Sequence, residues 1–231
     1  MLNAFILGAL AQSSLLLSGL AVYWIRVPTR VVGWLAGFGA GTLISAVAFD
    51  LIAQDIAEGI GAVQGALWLL LGAVIFVGGD YLVDKRFGGD GTGGALGIVL
   101  GAVVDGIPES VIFGIQVALG MPLSVAFLFS VAVSNIPQAL APSADLAKAG
   151  WSRTKMAAVW GSVVLACGVA AAVGYMVAIR IADTNGMGMA ALAAGGLLAM
   201  LTNSLIPFAY DRGGAGAGFG TVVGFAISLM L

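Results

Sequence analysis

The chain alternates long apolar stretches with short polar connections along its whole length. Each stretch approaches the roughly 20 residues that an α-helix needs to cross the hydrocarbon core of a bilayer. The connections are too short to form a soluble domain, so the pattern predicts a single all-α transmembrane domain over residues 1–231. We expect eight transmembrane helices, at residues 3–25, 31–53, 62–83, 94–118, 122–144, 156–180, 187–209 and 214–231.

Two polar segments interrupt the fourth and fifth stretches and share one pattern. Residues 105–110 read Asp-Gly-Ile-Pro-Glu-Ser, and residues 134–139 read Ser-Asn-Ile-Pro-Gln-Ala. Burial of a carboxylate in hydrocarbon costs free energy, and a proline leaves a backbone carbonyl without its helical hydrogen bond. Both therefore indicate a functional role or a polar partner inside the bundle. Pro108 and Pro137 each remove a backbone donor, and we expect them to kink their helices. Together the segments predict a polar site between two kinked helices.

The polar side chains of these segments fall at one depth of the predicted bundle. Asp105 and Glu109 share a helix face because they are four positions apart, and helix five carries three polar residues at the matching depth: Ser134, Asn135 and Gln138. Carboxylate, amide and hydroxyl oxygens suit hard or borderline divalent cations. We therefore expect these residues to bind a metal ion as the transported substrate, with no permanent cofactor. The open alternative is a protonated acid that is hydrogen-bonded to Gln138 or Asn135.

Further polar residues are candidates for the walls of a cavity. The outer end of helix two carries a polar group made of Asp50, Gln54, Asp55 and Glu58. Asp50 either recruits cations there or belongs to a solvated helix end. Asn203 and Ser204 of helix seven either face the same cavity or hydrogen-bond a neighbouring helix.

The composition of the chain excludes several classes of protein and several kinds of catalytic site. Only 9% of the residues are charged, the mean hydropathy is +1.10 and the net charge is −2, which excludes an ordinary soluble domain and leaves no basic patch for nucleic acid. The chain has no histidine, so Ser-His triads and histidine zinc motifs are excluded. An intramembrane aspartyl protease is disfavoured, because Asp80 lies too near the inner end of helix three to pair with Asp105. We expect no enzyme activity.

Positive charges concentrate in alternate connections. Of the nine cations, Arg180 lies on one predicted side, and the other eight lie opposite it: Arg26, Arg30, Lys85, Arg86, Lys148, Arg153, Lys155 and Arg212. The positive-inside rule makes the side with eight cations cytoplasmic and places both termini outside. The compact chain suggests a multi-pass protein of a bacterial inner (plasma) membrane. The expected partners are the metal ion and the lipid bilayer, and a homodimer is left open.

Two pairs of predicted helices resemble each other. Residues 39–45, followed by residues 50–53, are similar to residues 193–199, followed by residues 204–207. Helix two therefore resembles helix seven, and the proline segments make helix four resemble helix five, with the members of each pair in opposite orientations. Inverted repeats are common in secondary transporters, whose substrate site lies near the middle of the bilayer. Chance similarity between helices rich in Gly, Ala and Leu is the alternative.

The proline segments resemble those of the ZIP (Zrt/Irt-like) family of metal transporters. That family carries His-Asn-x-Pro-Glu-Gly in its fourth helix and His-x-x-Pro-Glu in its fifth. Residues 48–54 and 147–155 also resemble its helix-two region and the basic connection after its fifth helix. The resemblance implies a ZIP-like bundle of eight helices, in which one helix group moves against another and exposes the site to each side in turn.

The resemblance also assigns ligand positions. Asp105 stands at the first histidine ligand of the family and Glu109 at the helix-four glutamate, while the helix-five ligand positions are held by Ser134, Asn135 and Gln138. The sequence departs from the family pattern here, because both motif histidines are absent and Gln138 replaces a glutamate. Gly106 replaces an asparagine, and residues 164–166 read Val-Leu-Ala where the family has Val-Glu-Pro. These departures imply a single site selective for harder ions than zinc, or loss of metal transport.

The expected function is passage of a divalent metal cation, such as zinc, iron or manganese, into the cytoplasm. The site would be a carboxylate and amide pocket near mid-membrane, and the mechanism would be alternating access. The alternatives are a divergent ZIP-like protein that carries another solute, with Asp105 and Glu109 titrating, and a non-transporting membrane scaffold.

Overall fold

The described parts of the chain form a bundle of helices in a computed structural model. The structure describes residues 1–53, 59–87, 95–121, 123–181 and 188–231, and these contain no strand. In chain order the helices are α1 (Leu2–Ala21), α2 (Thr29–Ile52), α3 (Ala62–Phe87), α4 (Ala95–Ala118), α5 (Val125–Lys148), α6 (Arg153–Ile181), α7 (Met189–Gly213) and α8 (Ala215–Ser228).

Helices α1 to α7 are long and apolar enough to cross a membrane, which indicates a multi-pass membrane protein. Helix α8 is apolar but has only 14 residues, fewer than a full span needs. The prediction of an all-α, multi-pass membrane bundle is therefore confirmed, whereas the eighth full span stays a prediction.

Local signals in the sequence set both ends of α5. Ser124 caps its N-terminus, and the Ser124 hydroxyl accepts a hydrogen bond from Phe127 N at 2.9 Å. At the other end Gly150 adopts a left-handed φ of 85°, which glycine tolerates best. Trp151 N then donates back to Leu146 O at 3.1 Å, as in a helix that is closed by a C-terminal glycine. The chain therefore turns sharply from α5 into α6.

Two helices contain a π-helical turn that the sequence pattern did not predict. One turn is Val47–Ile52 in α2, and the other is Leu201–Leu205 in α7. The first contains Asp50 and the second contains Ser204. Since π turns occur frequently at functional sites, Asp50 and Ser204 are candidates for the same site as the polar segments of α4 and α5.

The predicted kink residues lie inside continuous helices. Pro108 is within α4, and Pro137 is within α5 together with Pro142. Neither α4 nor α5 ends at a proline, so each polar segment is carried on one long helix.

Glycines set the closest helix crossings. Gly41 of α2 lies against Thr221 O of α8, and a Cβ at Gly41 would overlap that carbonyl. Gly72 of α3 meets Leu192 O of α7 in the same way. Lipid removes the hydrophobic drive between membrane helices, so close backbone packing of this kind supplies much of their association.

The helices pack as two groups. In the first group α1 contacts α4, α5 and α6, and α4 also packs on α6. In the second group α2 packs on α7 and α8, and α3 packs on α7. The groups meet where α2 packs on α5 and where α4 packs on α7. The two helices that carry the polar segments, α4 and α5, therefore both lie at the boundary between the groups.

One end of the bundle gathers positive charge. Tyr23 Oη donates to Trp151 O at 2.6 Å, and the Arg153 guanidinium lies 4.7 Å from the centre of the Trp24 ring, which joins the end of α1 to the start of α6. Three further cations line one cavity at this end, namely Arg26, Lys148 and Arg212. We call this end of the bundle the cationic end.

One added methyl group tests the crossing of α2 and α8. Gly41→Ala places a Cβ against Thr221 O, and overpacking of this kind costs about 1–3 kcal/mol of unfolding free energy. Gly218→Ala is the matched control, because nothing lies within 4 Å of a Cβ there and alanine favours a helix. We expect thermal unfolding in detergent to show a lower melting temperature for Gly41→Ala only. Equal melting temperatures for the two variants would contradict the crossing.

Candidate functional site

A buried carboxylate, Glu109 of α4, forms the centre of the polar site. The residue is 1% exposed, and its Oε2 accepts a hydrogen bond from Gln12 Nε2 of α1 at 2.7 Å. Gln12 Oε1 in turn accepts from Asn135 Nδ2 of α5 at 2.9 Å, and Asn135 Nδ2 also donates to Ser14 Oγ at 3.0 Å. The network therefore joins three helices and fixes the orientation of the Gln12 amide.

Gly106 lies beside this network, where α6 packs closely on α4. It lies three positions before Glu109 and hence on the same side of α4. A Cβ at Gly106 would lie 2.7 Å from Cys167 Sγ of α6 and 3.7 Å from the Gln12 amide nitrogen. Glycine at this position therefore lets α6 approach α4 closely, while the Gln12 amide of α1 lies at an ordinary van der Waals distance from such a Cβ.

Gln12 was not among the residues predicted for the site, although the sequence contains a signal for it. Gln12 begins a run of three polar residues, completed by Ser13 and Ser14, in the middle of a largely apolar helix. A polar run at that depth needs partners inside the bundle. Gln12 and Ser14 find such partners in Glu109 and Asn135.

Two buried polar atoms of the predicted site, Glu109 Oε1 and Gln138 Nε2, have no hydrogen-bond partner within the described residues. An unpaired buried polar group costs about 1–3 kcal/mol, so such a group is normally matched by water, an ion or a ligand. Gln12 holds Oε2 of the Glu109 carboxylate, and the Ser134 side chain lies close enough to interact with this group. Oε1 has no hydrogen bond of good geometry among the described residues and is available to a ligand.

Asp105 lies one turn before Glu109 and lines a cavity of about 540 Å3. We call this the central cavity. Asp105 Oδ2 accepts a hydrogen bond from Ser204 Oγ of α7 at 2.9 Å, and this contact crosses the boundary between the two helix groups. Gln138 shares the cavity wall, which extends to Arg212. The central cavity thus connects Asp105 with the cationic end of the bundle.

An apolar layer lies between Glu109 and the opposite end of the bundle. Phe113 follows Glu109 by one turn of α4, and its ring packs against Phe127 of α5 with 4.9 Å between the ring centroids. Both rings are fully buried, and Leu43 and Val131 belong to the same core cluster. A hydrated ion finds no polar contact in such a layer, so these side chains block its passage towards the opposite end.

Asp50 lies at the opposite end and is not part of the central cavity wall. Its carboxylate accepts a hydrogen bond from the hydroxyl of Ser124, which also caps α5. Asp50 therefore joins α2 of one helix group to α5 of the other. The neighbouring candidates Gln54, Asp55 and Glu58 lie outside the described residues.

The remaining predicted residues, Ser204, Asn203 and Ser134, have different environments in the structure. Ser204 lines the central cavity, whereas Asn203 is exposed and lies outside the cavity wall. Ser134 is fully buried, and its hydroxyl donates to Val131 O at 3.0 Å within α5. A Cβ at Gly39 of α2 would lie 2.7 Å from Ser134 Cα, so these two residues pack directly on each other. Ser134 therefore serves the contact between α2 and α5, and its side chain also interacts with the Glu109 carboxyl group of α4.

The acidic groups of the site lie close enough to interact, but the described side chains do not form a cluster of three metal ligands. Asp105 interacts electrostatically with Asp80 of α3 and with Glu109. Among the side chains that the structure describes, no three from His, Cys, Asp and Glu are close enough together to hold one metal ion. A cation at this site would therefore take carboxylate oxygens from Asp105 or Glu109 and complete its shell with amide, hydroxyl, backbone or water oxygens.

Comparison with known proteins adds no assignment to this geometry. No protein-family model matches the chain, and no curated protein matches it either. The function is therefore inferred from the site itself.

Replacement of Gln12 tests whether the network stabilises the bundle. Gln12→Leu leaves Glu109 Oε2 and Asn135 Nδ2 without this partner, and an orphaned buried group costs about 1–3 kcal/mol. We expect the free energy of unfolding in mixed micelles to fall by about that amount. The control is Ser13→Ala, because Ser13 Oγ donates to Leu10 O of its own helix. A loss no larger than that of the control would show that the network contributes little to stability.

Proposed function

We propose that the chain is a divergent ZIP-like membrane transporter that carries a divalent metal cation by alternating access. The observation that supports this proposal most strongly is the state of Glu109, a buried carboxylate with one unpartnered oxygen. It lies one turn from Asp105, which lines the central cavity. Charged groups at this depth of a membrane are costly and typically mark the path of an ion or substrate. A bound cation would compensate the charge of both carboxylates.

The proposed ligands are mainly oxygen atoms. Asp105 and Glu109 supply carboxylates, and Gln138 supplies an amide from the wall of the central cavity. The sequence also predicts Asn135 and Ser134 as ligands. Asn135 reaches Glu109 through Gln12, whereas the Ser134 side chain interacts with Glu109 directly. We therefore place Asn135 in a supporting role. A set without nitrogen or sulfur ligands favours hard ions such as manganese over zinc.

The two helix groups provide the moving parts of the proposed mechanism. Two polar contacts cross their boundary at different depths, Asp105 with Ser204 and Asp50 with Ser124. Exposure of the site to the opposite end would require these contacts to separate. It would also require the packed rings of Phe113 and Phe127, which both belong to the first group, to move apart within that group. Polar contacts of this kind can be replaced by water, so they suit a boundary that opens and closes.

The π turns support the proposed inverted repeat. The sequence similarity between α2 and α7 aligns Asp50 with Ser204, and each of these residues lies within a π turn. A shared irregularity at aligned positions favours a repeat over chance similarity of apolar helices. In transporters with inverted repeats the substrate site lies near mid-bilayer, at the interface of the repeats.

The charge distribution gives the proposed orientation. By the positive-inside rule the cationic end faces the cytoplasm, which puts both termini outside and opens the central cavity to the cytoplasm. A bacterial inner membrane fits this arrangement. The described conformation would then be the one that releases the ion inward.

Proton-coupled transport of another solute is the second candidate. Two observations favour it: Gln12 already holds one oxygen of Glu109, and the described side chains contain no cluster of three metal-ligating residues. In that case Glu109 and Asp105 would carry protons, and uptake would depend on the pH gradient with no stimulation by metal.

A flux assay in proteoliposomes tests the proposed function. The intact chain is compared with Asp105→Asn/Glu109→Gln, which removes both negative charges at nearly constant volume, in the presence of zinc, iron, manganese, cadmium, cobalt or magnesium. We expect uptake of at least one metal by the intact chain and only the leak of empty liposomes with the double variant, because the amides cannot compensate a divalent charge. The control is Asp211→Asn, an exposed acidic position on α7.

Equal metal flux in the intact chain and the double variant would rule out the proposed ligands. The control variant must transport as the intact chain does, because Asp211 lies outside the central cavity. Absence of metal flux from the intact chain, combined with uptake driven by a pH gradient, would instead support the second candidate.

A further inference from the structure

A second cavity, of about 600 Å3, lies at the cationic end between the α1–α2 connection, α5 and α7. We call it the basic cavity. Its walls carry three cations, Arg26, Lys148 and Arg212, against one acid, Asp145. Lys148 Nζ pairs with Asp145 Oδ1 at 3.0 Å, but both side chains are largely exposed, so water weakens this pair. The described walls therefore carry an excess of positive charge, contributed by three separate parts of the chain.

The start of α2 adds to this positive field. Thr29 is the first residue of α2 and lines the basic cavity. The first amides of a helix have no partner inside the helix, and the helix dipole gives this end a partial positive charge. An anion in the basic cavity would therefore meet both the cations and the N-terminus of α2.

The remaining walls of the basic cavity are apolar. Val22, Ile25, Val32 and Leu140 line it, and Ile25 is 52% exposed on the surface of the bundle. The cavity lies where the apolar helices end, which is the level of the lipid headgroups in a membrane. Its wall chemistry thus combines anion-binding groups with a hydrocarbon surface that leads into the bilayer.

We propose that the basic cavity binds the phosphate of an anionic phospholipid headgroup, whose acyl chains follow the apolar wall. Guanidinium groups bind phosphate with paired hydrogen bonds, so Arg26 and Arg212 would hydrogen-bond the phosphate. Lys148 would contribute a further positive charge. Basic pockets between membrane helices recognise anionic headgroups in this way. Inorganic phosphate is also an anion that guanidinium groups bind, but it makes no use of the apolar wall.

The basic cavity and the central cavity share Arg212 and Asp145. A phosphate that pairs with Arg212 would lower the positive potential at the mouth of the central cavity and so ease the passage of a cation. This consequence rests on the proposed cation transport. Lipid binding does not depend on cation transport, so the experiment measures lipid binding alone.

Native mass spectrometry of the full chain in detergent tests the proposal. The chain is titrated with phosphatidylglycerol or with phosphatidylcholine of the same acyl chains, and bound lipids are counted. We expect phosphatidylglycerol to bind more tightly, and Arg26→Gln/Arg212→Gln to weaken its binding by about tenfold or more. Binding of phosphatidylcholine, whose choline cation offsets the charge of its phosphate, should fall much less. Arg26→Gln alone, in the connection between α1 and α2, gives a smaller loss in the same direction without altering any helix.

The matched control is Arg30→Gln/Lys155→Gln, which removes two exposed cations that do not line the basic cavity. We expect this control to bind both lipids as the intact chain does. Equal affinity for the two lipids would overturn the proposal, as would an equal loss in the two double variants. A separate titration with inorganic phosphate identifies the source of the phosphate. Displacement of phosphatidylglycerol by millimolar inorganic phosphate would assign the cavity to a soluble anion and overturn the lipid proposal.

Discussion

The burial of Glu109 is the constraint on which the polar part of this bundle depends. A carboxylate surrounded by apolar helices is tolerated only if other groups meet its oxygens, and Gln12 meets one of them at 2.7 Å. That bond requires α1 to approach α4, and Asn135 of α5 orients the Gln12 amide through a second hydrogen bond. The positions of three helices therefore follow from the solvation of one side chain.

The contacts between the two helix groups include polar contacts as well as close backbone packing. Within a group, glycines such as Gly41 and Gly72 bring backbones into direct contact, which leaves little freedom for relative movement. Between the groups, hydroxyl–carboxylate contacts such as the one from Ser204 to Asp105 occur, and water can replace these when the groups separate. The crossing of α2 and α5, which is the more extensive contact between the groups, is packed closely where Gly39 meets Ser134, and there the helices would have to slide.

Much of the fold follows from the sequence, because the number and length of apolar stretches fix how many helices can cross a membrane. The proximity of Asp105 and Glu109 also follows, since both lie on one helix at a spacing of four. What the sequence could not supply is the rotation of each helix about its axis, which depends on packing partners elsewhere in the chain. For that reason Gln12 was missed, and Asn203 and Ser204 could not be told apart, although they are adjacent and only Ser204 lines the central cavity.

We propose that the carboxylates of α4 lie at the centre of the bundle because they bind a cation there. Anomalous X-ray scattering from crystals grown with manganese or cadmium tests this most directly, because it locates the ion without assuming its ligands. If the proposal is correct, we expect an anomalous-difference peak within about 2.0–2.6 Å of carboxylate oxygens from Asp105 and Glu109. Peaks confined to the exposed acids of the surface, with the bond between Gln12 and Glu109 unchanged, would contradict it.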